Sequence, residues 1–178
     1  MSTFTLPHSS PLIVQPDDIP EGSDEEKYVI LTLQPRIPAG SLSMTELPAG
    51  MLDDAGSFAG GAAKEIKEET GLEIPADQLT DLTKLALADD QTSEKLQEAT
   101  YMSPGGSDEF IPLMMHQKRM PRSQLKDLEG RLTGLRDEGE KITLKLVPFN
   151  DVWREGARDA KTLSALALYQ GLKMKGKL

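Results

Sequence analysis

The chain contains no cysteine. That absence removes a disulfide framework, a thiolate-bound metal and a thiol nucleophile from the available chemistry. Aromatic residues are scarce at 4%, with Trp153 the single tryptophan, so Leu, Ile, Val, Ala and Met must fill the core. Basic charge is also short: 20 Lys and Arg stand against 29 Asp and Glu, a formal net charge of −9. An acidic surface repels a polyphosphate backbone, which argues against sequence-independent nucleic-acid binding. No apolar run approaches the roughly 20 residues that cross a bilayer, and MSTFTLPHSS lacks the basic start and apolar stretch of a signal peptide. The expectation is a soluble, cytoplasmic protein with neither nucleic acid nor membrane as partner.

What is present points to one α/β domain. The 178 residues suffice for a core without staples. Residues 1–11 read as a flexible arm and 12–178 as a single domain. LIVQ (12–15), KYVILTLQ (27–34) and KITLKLV (141–147) carry strand patterns, and SLSMTELPAG reads as a strand ending in a bend. Pro112 within FIPLMMHQKRM indicates an edge position or a bulge. A helix is expected from about Phe58 to Thr70, stopped by Gly71, and another from about Asp159 to Lys173 with Leu163, Leu166, Ala167 and Gln170 on one face. IPADQLTDLTKLALAD fits a strand or a short helix, QTSEKLQEATYMSPGGSDE a long loop, and SQLKDLEGRLTGLRDEGE a polar connection. His8 and His116 are too far apart in sequence for a visible site, and each reads as a surface or satisfied structural residue. Strands and helices interleave without strict alternation, which predicts a mixed sheet covered by helices on both faces.

The densest chemistry lies in Lys64-Glu65-Ile66-Lys67-Glu68-Glu69-Thr70-Gly71-Leu72. On a helix Glu65, Glu68 and Glu69 share one face, where like charges repel. Taken alone the segment reads first as a solvated acidic face and second as a cation site. Oxygen donors without His or Cys favour Mg²⁺ or Mn²⁺ over zinc. The preceding Glu46-Leu47-Pro48-Ala49-Gly50 delivers a tight bend toward the start of that helix.

These residues resemble the box of the Nudix hydrolases, a Gly, five residues, a Glu, seven residues, then R-E-U-x-E-E-x-G-U with U aliphatic. Counting from Gly50, Lys64, Glu65, Ile66, Glu68, Glu69, Gly71 and Leu72 fall at the family spacing. Lys64 stands where Arg is usual, and Gly56 stands where the first Glu is expected. ELPAG, then Ser103-Pro104-Gly105-Gly106-Ser107-Asp108-Glu109, then Gly134-Leu135-Arg136-Asp137-Glu138-Gly139-Glu140 look like the ADP-ribose and ADP-sugar pyrophosphatase branch, especially its plant-type ADP-sugar diphosphatases.

The resemblance implies a Nudix α/β/α sandwich and a Mg²⁺-dependent hydrolase, Mn²⁺ being the second choice of metal. Its substrate would be a nucleoside diphosphate sugar such as ADP-ribose, ADP-glucose or UDP-glucose. It assigns the metal to Glu65, Glu69, Glu140 and the carbonyl of Ala49. Glu68 would hold Lys64 and orient the helix, and Glu138 would be the base that activates water. Substrate contacts fall to Arg36, Glu46, Ser103, Pro104, Gly105, Gly106 and Glu109. The branch also implies a homodimer. Two alternatives stay open: a non-catalytic nucleotide-sugar-binding domain, which the Gly56 departure encourages, and a hydrolase of other diphosphates such as NADH or dinucleoside polyphosphates.

Overall fold

The computed structural model describes residues 7–51, 58–135, 137 and 139–178. Its frame is β3 (Tyr28–Arg36), a run of β-branched and aliphatic residues long enough to serve several partners. Along one flank lies β11 (Ile142–Pro148), antiparallel, from Thr143↔Leu33 to Pro148↔Tyr28. Along the other flank two strands follow one another. β2 (Leu12–Pro16) takes the first part of β3 through Leu12↔Ile30, and β4 (Ser41–Glu46) takes the second through Thr32↔Glu46. β9 (Met114–Met120) runs parallel to β2, which makes the sheet mixed. β10 (Leu132–Thr133) borders β11, and β6 (Thr80–Asp81) borders β9. Two short ribbons stand apart from this sheet: β1 (Pro7–Ser9) with β5 (Ala49–Met51), and β7 (Thr100–Tyr101) with β8 (Phe110–Ile111).

Alternation along the central strands divides the core into two layers. Ile13, Val29, Leu31, Met115 and Val147 face one side with Leu82 of α2 (Leu82–Leu87), Val152 of α4 (Val152–Glu155), and Ala165, Tyr169 and Leu172 of α5 (Ala160–Met174). Leu12, Val14, Ile30, Ile142 and Leu144 face the other with Ile66 of α1 (Phe58–Thr70) and Leu125 and Leu128 of α3 (Arg122–Leu128). Period-two strands with both faces apolar require cover on both sides, and the result is the expected α/β/α sandwich.

Several sequence expectations are corrected. Residues 7–11 are not an arm: His8, Ser9 and Ser10 are buried, Ser9 N–H donates to the Pro112 carbonyl and Ser10 N–H to the Pro48 carbonyl. The connection after Met120 contains the helix α3, whose Leu125 and Leu128 fill the core despite polar neighbours. In α5 the buried face is Thr162, Ala165, Tyr169 and Leu172, while Leu163, Ala167 and Gln170 are exposed. His8 is not a satisfied structural residue, because neither ring nitrogen has a hydrogen-bond partner although the residue is fully buried. The segment read as strand or helix is both, β6 leading directly into α2. Pro112 marks a break between β8 and β9 rather than a position within a strand.

Candidate functional site

α1 ends where the sequence indicates, with Gly71 at φ 75° just past its last residue. Ile66, fully buried, pins one face of α1 to the sheet. That anchoring turns the flank carrying Glu65 and Glu69 toward β5. Glu69 is 2% exposed, and its Oε2 accepts a hydrogen bond from Ala49 N at 2.9 Å. Glu65 lies across Gly50 so closely that a β-carbon there would sit 1.9 Å from its carboxyl carbon. Gly50 is therefore the surface on which Glu65 rests, which explains the glycine that opens the motif.

The third carboxylate arrives from the opposite side. Gly134 N–H donates to the Glu68 carbonyl at 3.3 Å, and Thr133 Oγ1 donates to the Glu69 carbonyl, so the segment after β10 is tied to the last turns of α1. Glu140 folds back over this segment: its Oε2 accepts from Leu135 N at 2.9 Å, and it packs against Gly134, whose φ of 87° suits glycine. Burial pushes the Glu69 carboxyl up to about 8, with the charges of Glu65, Glu140 and Glu46 adding to the shift and the Ala49 hydrogen bond opposing it. The structure thus gathers Glu65, Glu69, Glu140 and Ala49. Glu68 is half-buried on the same helix. Glu138, like Gly56, lies outside the described residues. Among the described residues no group of three His, Asp or Glu side chains is placed to hold a metal ion.

Beside this group opens a cleft of about 470 Å³. Its charged wall is Arg36, Glu46, Asp159 and Lys161, and its apolar surface comes from Pro7, Met102 and Ile111. Glu46 is the hub of that wall. It accepts from Arg36 Nε at 2.6 Å on one oxygen and from Lys161 Nζ at 3.1 Å on the other. Asp159, at the N-terminus of α5, receives Lys161 Nζ at 2.8 Å, Thr162 Oγ1 at 2.7 Å and the Leu47 N–H at 3.0 Å. Burial pulls the Lys161 ammonium down, but Asp159 and Glu46 outweigh it and the net shift is upward.

Of the expected substrate residues, Arg36, Glu46 and Glu109 line the cleft. Ser103, Pro104, Gly105 and Gly106 do not. They make the exposed tip between β7 and β8, a turn closed by hydrogen bonds from the Gly106 and Ser107 amides to the Ser103 carbonyl. Sequence reasoning missed Lys161 and gave Asp159 no role beyond the start of a helix. The available signal was an Asp at a helix start followed two residues later by a Lys, a common capping pattern that carries no mark of function.

The α/β/α sandwich turns Glu65 and Glu69 of α1 onto Ala49 and Gly50 of β5. The chain belongs to the NUDIX domain family, whose sequence model matches residues 20–166. It is 39% identical over 155 residues to the Arabidopsis thaliana protein "Nudix hydrolase 14, chloroplastic", covering 86% of this chain and 48% of the plant protein. The chain therefore spans about half the length of that relative. The plant protein's chloroplast assignment lends no support to the cytoplasmic expectation. Its fold is similar to a crystal structure of an ADP compounds hydrolase, with a TM-score of 0.58 and 21% identity over 97% of this chain and 76% of that one. It is also similar to a binary complex of a C. elegans Ap4A hydrolase, with a TM-score of 0.56 and 14% identity over 96% of this chain and 98% of that one. Among the described residues no helix is long and apolar enough to cross a membrane.

Proposed function

We propose that the protein is a Mg²⁺-dependent pyrophosphatase of nucleoside diphosphate sugars, with ADP-sugars preferred. The observation that carries this reading is Glu69, a buried carboxylate fixed to Ala49 N with Glu65 and Glu140 beside it. A buried carboxylate with two further acids near it is stabilised by a cation or a proton. The donors are all oxygen, which fits a hard divalent ion. Mg²⁺ keeps several waters and is bound through one or two carboxylates with substrate oxygens, so it does not need three protein side chains already gathered. Glu65, Glu69, Glu140 and the Ala49 carbonyl would hold the ion, with Mn²⁺ as a substitute. Bound there, it would neutralise diphosphate charge and lower the pKa of water.

The chain's own residues supply the rest. Glu138 accepts the proton of the attacking water. As the water oxygen bonds to phosphorus, the bridging P–O bond breaks, releasing a nucleoside monophosphate and a sugar phosphate. Glu68 steadies the helix through Lys64. Arg36 spends only its Nε on Glu46, so its planar fork faces the cleft for bidentate phosphate contact. Glu109 accepts from sugar hydroxyls, and Met102 and Ile111 offer an apolar face to a base. The Ser103–Gly106 tip is left without a role in the cleft.

The test incubates wild type and Glu69→Gln with Mg²⁺ and ADP-ribose, ADP-glucose or UDP-glucose, and separates products by chromatography. AMP and a sugar phosphate should appear with wild type and fall at least 100-fold with the variant. Tight binding without turnover would overturn the hydrolase reading, and equal activity in chelator would overturn the metal.

A further inference from the structure

Lys161 has a position that a purely structural ion pair does not need. Its ammonium is held between Glu46 at 3.1 Å and Asp159 at 2.8 Å, its side chain is 16% exposed, and it lines the same cleft as Arg36, Ala49 and Gly50. An ammonium carries three donors, of which these carboxylates take two. The third is left for whatever enters the cleft.

The charged side chains of the lining are Arg36 and Lys161 against Glu46, Asp159 and Glu109, so it is the placing of the two cations, not the net charge, that would meet an anion. Glu46 and Asp159 are each 5% exposed at the side chain and are already committed. Glu46 accepts from Arg36 on one oxygen and from Lys161 on the other, and Asp159 also receives the Leu47 amide and the Thr162 hydroxyl. Their negative charge is spent on fixed donors, whereas both cations keep a face toward the cleft. Glu109 is the remaining acid of the lining, and it is exposed. One carboxylate thus spaces two cations along one wall. That geometry suits a ligand with neighbouring anionic oxygens, as a diphosphate has, better than a single carboxylate.

We infer that Lys161, tethered by Glu46 and Asp159, is a substrate-binding residue that grips a phosphate of the diphosphate alongside Arg36. The inference rests on the cleft being the nucleoside diphosphate site. Asp159 and Glu46 are then positioning residues that act through Lys161, and the start of α5 belongs to the recognition surface.

The experiment measures ADP-ribose kinetics in wild type, Lys161→Gln and Lys161→Arg, together with calorimetric binding of ADP and adenosine in chelator. Gln retains a donor for the two carboxylates but loses the charge. A rise of tenfold or more in KM with kcat within threefold is expected for Lys161→Gln, with Lys161→Arg recovering most of the loss. ADP binding should weaken about as much, and adenosine binding should not change. If KM and ADP affinity stay within twofold of wild type, or if adenosine weakens in parallel with ADP, the inference is overturned. Wild type that binds ADP through Lys161 but hydrolyses no ADP-ribose would overturn the proposed function alone. Should Lys161→Gln not fold, acylation of wild-type lysines supplies the answer. ADP should slow labelling of Lys161 at least fivefold and leave the exposed Lys175 unaffected, whereas unchanged labelling of Lys161 overturns the inference.

Discussion

Replacing Glu69 by Gln in the metal-free protein removes a charge from a site 2% exposed while keeping an oxygen to accept from Ala49 N. The folded-state pKa of Glu69 is raised from 4.5 to about 8, so the folded chain holds this proton more tightly than the unfolded chain does. The associated stability is fully present below about pH 4.5 and is lost as pH rises through about 8. At about 1.4 kcal/mol per pKa unit, the loss reaches about 3 kcal/mol at pH 7 and about 5 kcal/mol once ionisation is complete. Glu69→Gln escapes it. In chelator the variant should melt about 6–12 °C above wild type at pH 7, and the gap should close toward pH 4.5. Added Mg²⁺ should reverse the ranking, because it stabilises the ionised wild type and has less to bind in the variant. The assay is thermal unfolding by circular dichroism across pH 4.5–9, with chelator or with Mg²⁺. Equal pH slopes for the two proteins, or a variant less stable than wild type at pH 8 in chelator, would refute the reasoning.

Two further outcomes follow from neighbouring positions. Gly50→Ala puts a β-carbon where the Glu65 carboxyl now lies; the side chain can swing aside, so melting should shift by only a few degrees while Mg²⁺-dependent activity falls at least tenfold. An unchanged turnover would show that Glu65 need not rest on Gly50. Burial depresses the His8 pKa from 6.5 to about 4, with the nearby Gly61 backbone opposing it, and neither ring nitrogen meets a partner in good hydrogen-bond geometry. The folded chain thus binds this proton less readily, and His8 lowers stability progressively as pH falls from about 6.5 to about 4, by about 3 kcal/mol at the end. His8→Leu should flatten that limb in a urea titration at pH 4–7 and gain about 1–3 kcal/mol at pH 7 by removing unsatisfied nitrogens. A variant as acid-sensitive as wild type would contradict this.

The parts of the fold that could be read from sequence are those where one local signal dominates. α1 announced its end because Gly71 adopts a conformation other residues resist, and β11 announced itself by alternation. α5 was found but turned the wrong way. Its buried stripe includes Thr162, Asp159-bonded through its hydroxyl, and Tyr169, so polar-looking residues lie on the covered face. α3 escaped notice because its apolar content is two leucines and its N-cap, Pro121, makes no side-chain cap. At the site, spacing put Glu65, Glu68 and Glu69 on one helix face, read first as solvated, and both their role and the return of Glu140 needed the resemblance. Lys161 depends on a meeting between positions 46, 159 and 161 that no local pattern encodes.

The parallel contact between β2 and β9 joins segments about a hundred residues apart, with Leu12 opposite His116. β2 can pair early with β3, but its other edge has to wait for β9. During synthesis β3, β4 and α1 can begin to organise early, but the seat for β2 is complete only when β9 has emerged. β1 follows the same timetable, since Ser9 bonds to both Pro48 and Pro112 and pairs with Ala49. The backbone on which Glu69 closes is therefore expected to become rigid only after these long-range contacts have formed. Competence to bind a cation would then mark the closing of these long-range contacts, rather than the formation of the helix that carries the ligands.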